Sequence, residues 1–119
     1  MLAFWISAGL MAATAAAHSV LGERWLIAPT LRLHAGILRV TLARKVLRFA
    51  WHLTSALMLL SAALVAWPSS PRALVGVAGA VWLAAGLVDA AYTRGRHIGW
   101  PLLSAAGALA LAGALSAGL

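Results

Sequence analysis

A few ionisable side chains lie within or beside long apolar stretches of this sequence, and they are the residues that could do chemistry. Asp89 is the only acidic residue of the apolar stretch 73–93, where an unpaired carboxylate would be costly in lipid. His18, His52 and His97 are its candidate partners, and Glu23 is a further candidate. We therefore expect an imidazole and carboxylate layer that forms either a structural network or a ligand site.

Three kinds of chemistry suit such a layer. Imidazole and carboxylate ligands bind zinc, nickel, copper or iron, so His18, His52 and Asp89 are candidate ligands for a divalent metal. Two imidazoles on facing helices could instead hold a b-type haem, with His18 and His52 as its ligands. Asp89 and His52 together could titrate during transport or conduction of a small ion or solute. None of these options has a specific motif, and the spacing from His18 to Glu23 does not match HExxH.

Enzymatic activity is not supported by any pattern in the chain. There is no cysteine, no GxSxG, no glycine loop for phosphate and no dinucleotide fingerprint. Ser19 follows His18 directly, and adjacent helical residues point roughly 100° apart, so the two do not form a catalytic dyad by themselves. We expect a protein that is not an enzyme.

The elements that must position these residues are membrane-spanning helices. Hydrophobic residues make up 64% of the 119-residue chain, charged residues 9%, and the mean hydropathy is +0.97. A small soluble domain could not bury this much apolar surface. Because roughly 20 residues cross about 30 Å of hydrocarbon, we predict an all-α integral membrane protein with one four-span domain, forming a four-helix bundle in which spans two and three pair as a hairpin. The predicted spans are about 2–21, 49–67, 73–93 and 98–118.

The basic residues predict the orientation of the chain. The net charge is +7, and all but Arg72 of the nine lysines and arginines lie between spans one and two or between spans three and four. The positive-inside rule places both loops in the cytoplasm, so that both termini lie outside the plasma (inner) membrane. Since these residues separate apolar runs, we expect membrane lipid as a partner and no nucleic acid.

The long basic loop between spans one and two has a predicted structure of its own. Thr30, after Pro29, is positioned to cap a helix that runs into span two. We expect one or two helical pieces of this loop to lie at the membrane surface. Its basic side chains are candidate contacts for anionic lipid headgroups: Arg32, Arg39, Arg44, Lys45 and Arg48.

Alternating span direction predicts the depth of the candidate site. One titratable group from each span, His18, His52, Asp89 and His97, falls at the cytoplasmic end of the membrane. Further polar residues lie close enough in depth to join them: Glu23, Ser19, Thr54, Ser55, Tyr92 and Thr93.

Small residues recur at helical spacing on several spans, as in Ala106, Ala110 and Ala114. Such series let helices approach closely in lipid, either within the chain or between chains. Our leading hypothesis is a non-enzymatic binding or assembly module that associates with itself or with other membrane proteins. The transporter and the haem or metal protein are the alternatives.

Overall fold

The computed structural model describes residues 1–116, and all regular secondary structure in this part of the chain is helical, which confirms the predicted helical fold. Three helices are long and apolar enough to cross a membrane, which is compatible with a multi-pass membrane protein, and the fourth is apolar but shorter. The predicted end of span four at residue 118 lies outside the described residues. We label the helices α1 (Leu2–Leu31), α2 (Thr41–Ala66), α3 (Arg72–Tyr92) and α4 (Trp100–Ser116).

Helix α1 extends beyond the predicted span because it continues through an irregular turn. The α-helical segment Leu2–Gly22 is followed by a π-helical turn, Glu23–Ile27, and a last α-helical turn, Ala28–Leu31. Pro29 cannot donate a backbone hydrogen bond, and its ring would clash with the carbonyl four residues earlier. The wide π turn occupies the position of that clash. Thr30 therefore lies inside α1, and the prediction that it caps a new helix is wrong.

The basic loop is also shorter than predicted, because α2 begins at Thr41 and not near residue 49. Between α1 and α2 the described chain contains one short 3₁₀ helix, Gly36–Arg39. The predicted separate surface helix is thus corrected: most of the basic residues between the two spans lie on the extended ends of α1 and α2. His34, with φ of 48°, takes the left-handed conformation where the chain leaves α1.

The helices pack in the spatial order α2, α1, α4, α3. Helix α1 contacts α2 on one side and α4 on the other, and α4 packs extensively on α3. Helices α2 and α3 are neighbours in sequence, joined through Pro68 and Pro71, yet they barely touch. The predicted hairpin of spans two and three, and with it the closed four-helix bundle, is therefore corrected to an open row of helices. This leaves a cleft between α2 and α4, with α1 as its floor.

Small residues hold α3 and α4 together at close range. A Cβ placed on Gly79 would lie 2.6 Å from the Leu111 nitrogen and 2.9 Å from the Gly107 oxygen, so the two backbones are in contact there. Trp82, in the middle of α3, is buried in the same core. Part of the small-residue pattern is therefore used within the chain.

Candidate functional site: a polar network beside an apolar cleft

One face of α1 and one face of α2 share a continuous hydrogen-bond network. Nδ1 of His18 lies 2.8 Å from Oγ of Ser55, which lies 2.9 Å from Oγ of Ser19. Oγ of Ser19 in turn lies 2.8 Å from Nδ1 of His52, and Nε2 of His52 lies 3.0 Å from Oε2 of Glu23. Ser55 is buried, and the others are partly buried. The network thus joins five polar side chains of two helices without a gap.

The network ends at the basic end of the helices in an ion pair. Oε1 of Glu23 lies 2.8 Å from Nη2 of Arg48, while its other carboxylate oxygen takes the hydrogen bond from His52. The side chain of Glu23 is 30% exposed, so solvent partly screens the attraction between Glu23 and Arg48. Glu23 and Arg48 therefore connect the network to the surface.

Trp51 fixes the position of His18 at the other end of the network. Its indole Nε1 donates a 2.8 Å hydrogen bond to the His18 carbonyl. The two rings are stacked, with centroids 4.1 Å apart and planes inclined by 8°. A Cβ on Gly22 would overlap the indole, so glycine is required for this contact. The imidazole of His18 is consequently held by both stacking and hydrogen bonding.

The network admits two proton arrangements that differ by one proton. With Glu23 ionised, Nε2–H of His52 must donate to it. If His52 is protonated, its Nδ1–H donates to Ser19, Ser19 donates to Ser55, and Ser55 donates to His18. If His52 is neutral, every one of these bonds reverses, and His18 becomes the donor. The protonation state of His52 therefore decides whether Nε2 of His18 carries a hydrogen or a lone pair.

A second polar pair lies at the turn between α3 and α4. Nδ1 of His97 lies 2.6 Å from Oδ2 of Asp89. The turn that brings them together ends α3 with a Schellman pattern, in which the Gly95 N–H donates to the Ala90 carbonyl at 2.7 Å. Arg94 takes the left-handed position of this motif, with φ of 54°. The turn therefore gives Asp89 a partner within its own hairpin.

An apolar cleft of about 490 Å³ lies between the network and the Asp89–His97 pair. His18 and Trp51 line it from the network, and Arg96 and His97 line it from the turn. The remaining lining is largely apolar and comes from α1, α2, the turn before α4 and the start of α4: Thr14, Ala17, Leu21, Gly22, Trp25, Leu26, Met58, Ile98, Gly99, Leu102 and Leu103. This volume lies in the range of small-molecule sites, roughly 300–1,000 Å³.

The predicted site residues fall into these two hydrogen-bonded sets. His18, His52 and Glu23 belong to the network together with Ser19 and Ser55, whereas Asp89 pairs with His97. Thr93 binds the Asp89 carbonyl through its hydroxyl at 2.7 Å. The remaining two polar candidates do not join either set: Thr54 and Tyr92 are exposed.

Two features of the described residues limit the metal and haem hypotheses. Within residues 1–116 no group of three or more histidine, aspartate and glutamate side chains is placed to hold a metal ion. Both ring nitrogens of His52 are hydrogen-bonded, so coordination of iron or another metal by His52 would break one of these bonds. His18 and His52 remain the predicted ligands, and Asp89 lies in the other set.

Three residues of the site were not predicted from the sequence as part of it: Arg48, Trp51 and Arg96. Arg48, His52 and Ser55 lie four and three residues apart, which places them on one face of α2, and Ser19 and Glu23 are four apart on α1. This spacing could have predicted that these side chains face a common neighbour. The contributions of Trp51 and of Arg96 depend on how the helices meet, which periodicity within one helix does not encode.

Comparison of the chain with protein-family models, with curated proteins and with solved structures finds no match. The function of the chain is therefore inferred from the polar network and the apolar cleft.

Proposed function

We propose that the chain is a four-span protein of the plasma (inner) membrane that acts as a non-enzymatic binding module for a single-chain anionic amphiphile of the fatty-acid type. The observation that supports it is the apolar cleft, whose basic and imidazole groups are Arg96, His97 and His18. An acyl chain would lie along the apolar lining, with its carboxylate beside Arg96 and His97 in the turn between α3 and α4.

The proposed orientation supports access from the lipid. The network, the Asp89–His97 pair and most basic residues lie at the same ends of the helices, which the positive-inside rule assigns to the cytoplasmic face. A fatty acid in the inner leaflet has its carboxylate at that depth and its chain directed toward the membrane centre. The cleft between α2 and α4 has its basic residues at the proposed cytoplasmic end and its apolar lining toward the proposed membrane centre, which matches this arrangement.

Charge complementarity favours an anionic head over a neutral or cationic one. The residues that line the apolar cleft include Arg96 and two histidines but no aspartate or glutamate. A guanidinium binds a carboxylate through charge-assisted hydrogen bonds.

The test uses a brominated fatty acid, because bromine quenches nearby tryptophans and Trp25 and Trp51 line the cleft. We expect saturable quenching of the detergent-purified protein. Ala17→Phe, which fills the cleft, should weaken binding at least about tenfold, since overpacking a fitted site is costly. Ala16→Phe is the matched control, because Ala16 is the exposed neighbour on the same helix, and it should leave binding unchanged.

Two results would overturn the proposal. One is quenching that does not saturate or that both phenylalanine variants reduce equally, which would mean that the probe only dissolves in the apolar surface. The other is equal binding of the methyl ester of the same fatty acid, which would exclude recognition of the carboxylate.

A further inference from the structure

A second cleft, unrelated to the apolar one, lies between the end of α1 and the start of α2. Its volume is about 700 Å³, and we call it the basic cleft. The residues that line it come from the end of α1, the residue after it and the first turns of α2: Ala28, Leu31, Arg32, Thr41, Arg44, Lys45, Arg48 and Phe49. Four of these eight residues are cations, and none is an aspartate or glutamate.

Two of the cations have structural partners. Arg44 donates from Nη1 to the carbonyls of Leu38 and Arg39 and from Nη2 to the Thr41 hydroxyl, so it holds the connection in place. Arg48 pairs with Glu23 at 2.8 Å. These two residues shape the cleft and contribute positive charge to its wall.

The other two cations remain available to a ligand. Among the described residues, Arg32 uses only its Nε, which donates to the Ala28 carbonyl at 3.2 Å. Across residues 1–116, Lys45 makes no hydrogen bond or ion pair through its ammonium group. One guanidinium and one ammonium therefore line the basic cleft with donors to spare, which is the donor set that binds phosphate in proteins.

The start of α2 adds to the positive potential. No side chain caps the helix at Val40, so the first backbone N–H groups keep their partial positive charge at the edge of the cleft. The other wall is apolar, with Leu31 buried and Phe49 exposed. A ligand suited to this cleft carries a phosphate beside hydrocarbon.

We propose that the basic cleft binds the phosphate of an anionic phospholipid through Arg32 and Lys45, with its acyl chains against Phe49. Of the five basic residues predicted to contact headgroups, Arg39 is the one that does not line this cleft. The site is independent of the proposed fatty-acid cleft, since the two share no lining residue.

The experiment counts bound lipid by native mass spectrometry of the detergent-purified protein, titrated with phosphatidylglycerol or with phosphatidylcholine of the same acyl chains. Arg32→Gln/Lys45→Gln should weaken phosphatidylglycerol binding about 25-fold, because each basic group near an anionic lipid contributes a factor of about five. The matched control is Arg24→Gln/Arg39→Gln. It removes the same charge from the same end of the protein, at positions outside the cleft, and should weaken binding no more than about threefold.

Three outcomes would overturn this proposal. They are an equal loss in both double variants, equal affinity for the two lipids, and displacement of phosphatidylglycerol by glycerol phosphate at lipid-like concentrations. The last would assign the site to free phosphate compounds. None of these outcomes bears on quenching by the brominated fatty acid, so the two proposals fail separately.

Discussion

Removing the hydroxyl of Ser55 is the perturbation that examines the polar network most sharply. Ser55 is 5% exposed, and its Oγ contacts both Nδ1 of His18 and Oγ of Ser19 on the opposite helix. Ser55→Ala interrupts the network at its centre while leaving the helix backbone unchanged. We therefore expect a loss of stability.

The magnitude follows from the two contacts that are lost. Hydrogen bonds between helices in a membrane protein contribute about 0.6 kcal/mol each on average. Polar groups left unpaired in a buried place add a further cost of roughly 1 kcal/mol. The free energy of unfolding should thus fall by about 2 kcal/mol in Ser55→Ala.

Ser61→Ala is the matched control on the same helix. The hydroxyl of Ser61 donates to the carbonyl of Leu57, at 3.1 Å, and within residues 1–116 it makes no hydrogen bond to α1. Its removal should change stability by less than about 0.5 kcal/mol. The assay is equilibrium unfolding in mixed detergent micelles, followed by tryptophan fluorescence. Equal stability of the two variants would refute the network as a link between α1 and α2.

Three further predictions concern the packing around the site. Gly79→Ala should lower the free energy of unfolding by about 1–3 kcal/mol, because its Cβ would overlap the backbone of α4. Gly76→Ala is the control, since its Cβ would lie 3.5 Å from its nearest neighbour, and it should be tolerated in the same unfolding assay. Arg94→Gly should stabilise the protein by about 1 kcal/mol in thermal unfolding, since it relieves a left-handed residue, and a lower stability would refute this assignment of the turn. Gly22→Ala should displace the indole of Trp51 and shift its fluorescence, and an unchanged spectrum would contradict the stacked geometry.

The sequence was sufficient to predict the helical fold, because long uncharged stretches leave the backbone little alternative in an apolar environment. It was least reliable at the ends of α1 and α2. There the basic residues resembled a loop, but long charged side chains are compatible with helix and can extend toward water from a helix end. Pro29 resembled a helix start, yet the π turn before it accommodates it inside α1.

Which residues of the candidate site pair with one another could not be predicted from the sequence. Counting residues from the ends of the spans placed His18, His52 and Asp89 at similar heights. It could not reveal that α2 and α4 both pack on α1, which separates His52 from Asp89. Spacing along one helix fixes which side chains share a face, whereas the rotation of each helix against its neighbours depends on contacts such as Gly79 on Gly107.

Association with itself or with other membrane proteins stays a prediction. The tightest small-residue contacts are used between α3 and α4, while Ala80 and Ala84 remain on the exposed face of α3. Those two residues are where an oligomerisation screen should begin.

Both proposed ligand sites require the basic end of the helices to lie at the cytoplasmic face of a membrane. The absence of cysteine makes this directly measurable by single-cysteine labelling in cells. We predict that a membrane-impermeant maleimide labels Ser69→Cys, in the turn between α2 and α3, in intact cells. His34→Cys, between α1 and α2, should be labelled only after the membrane is opened. Labelling of His34→Cys in intact cells, or of both positions from one side, would contradict the account.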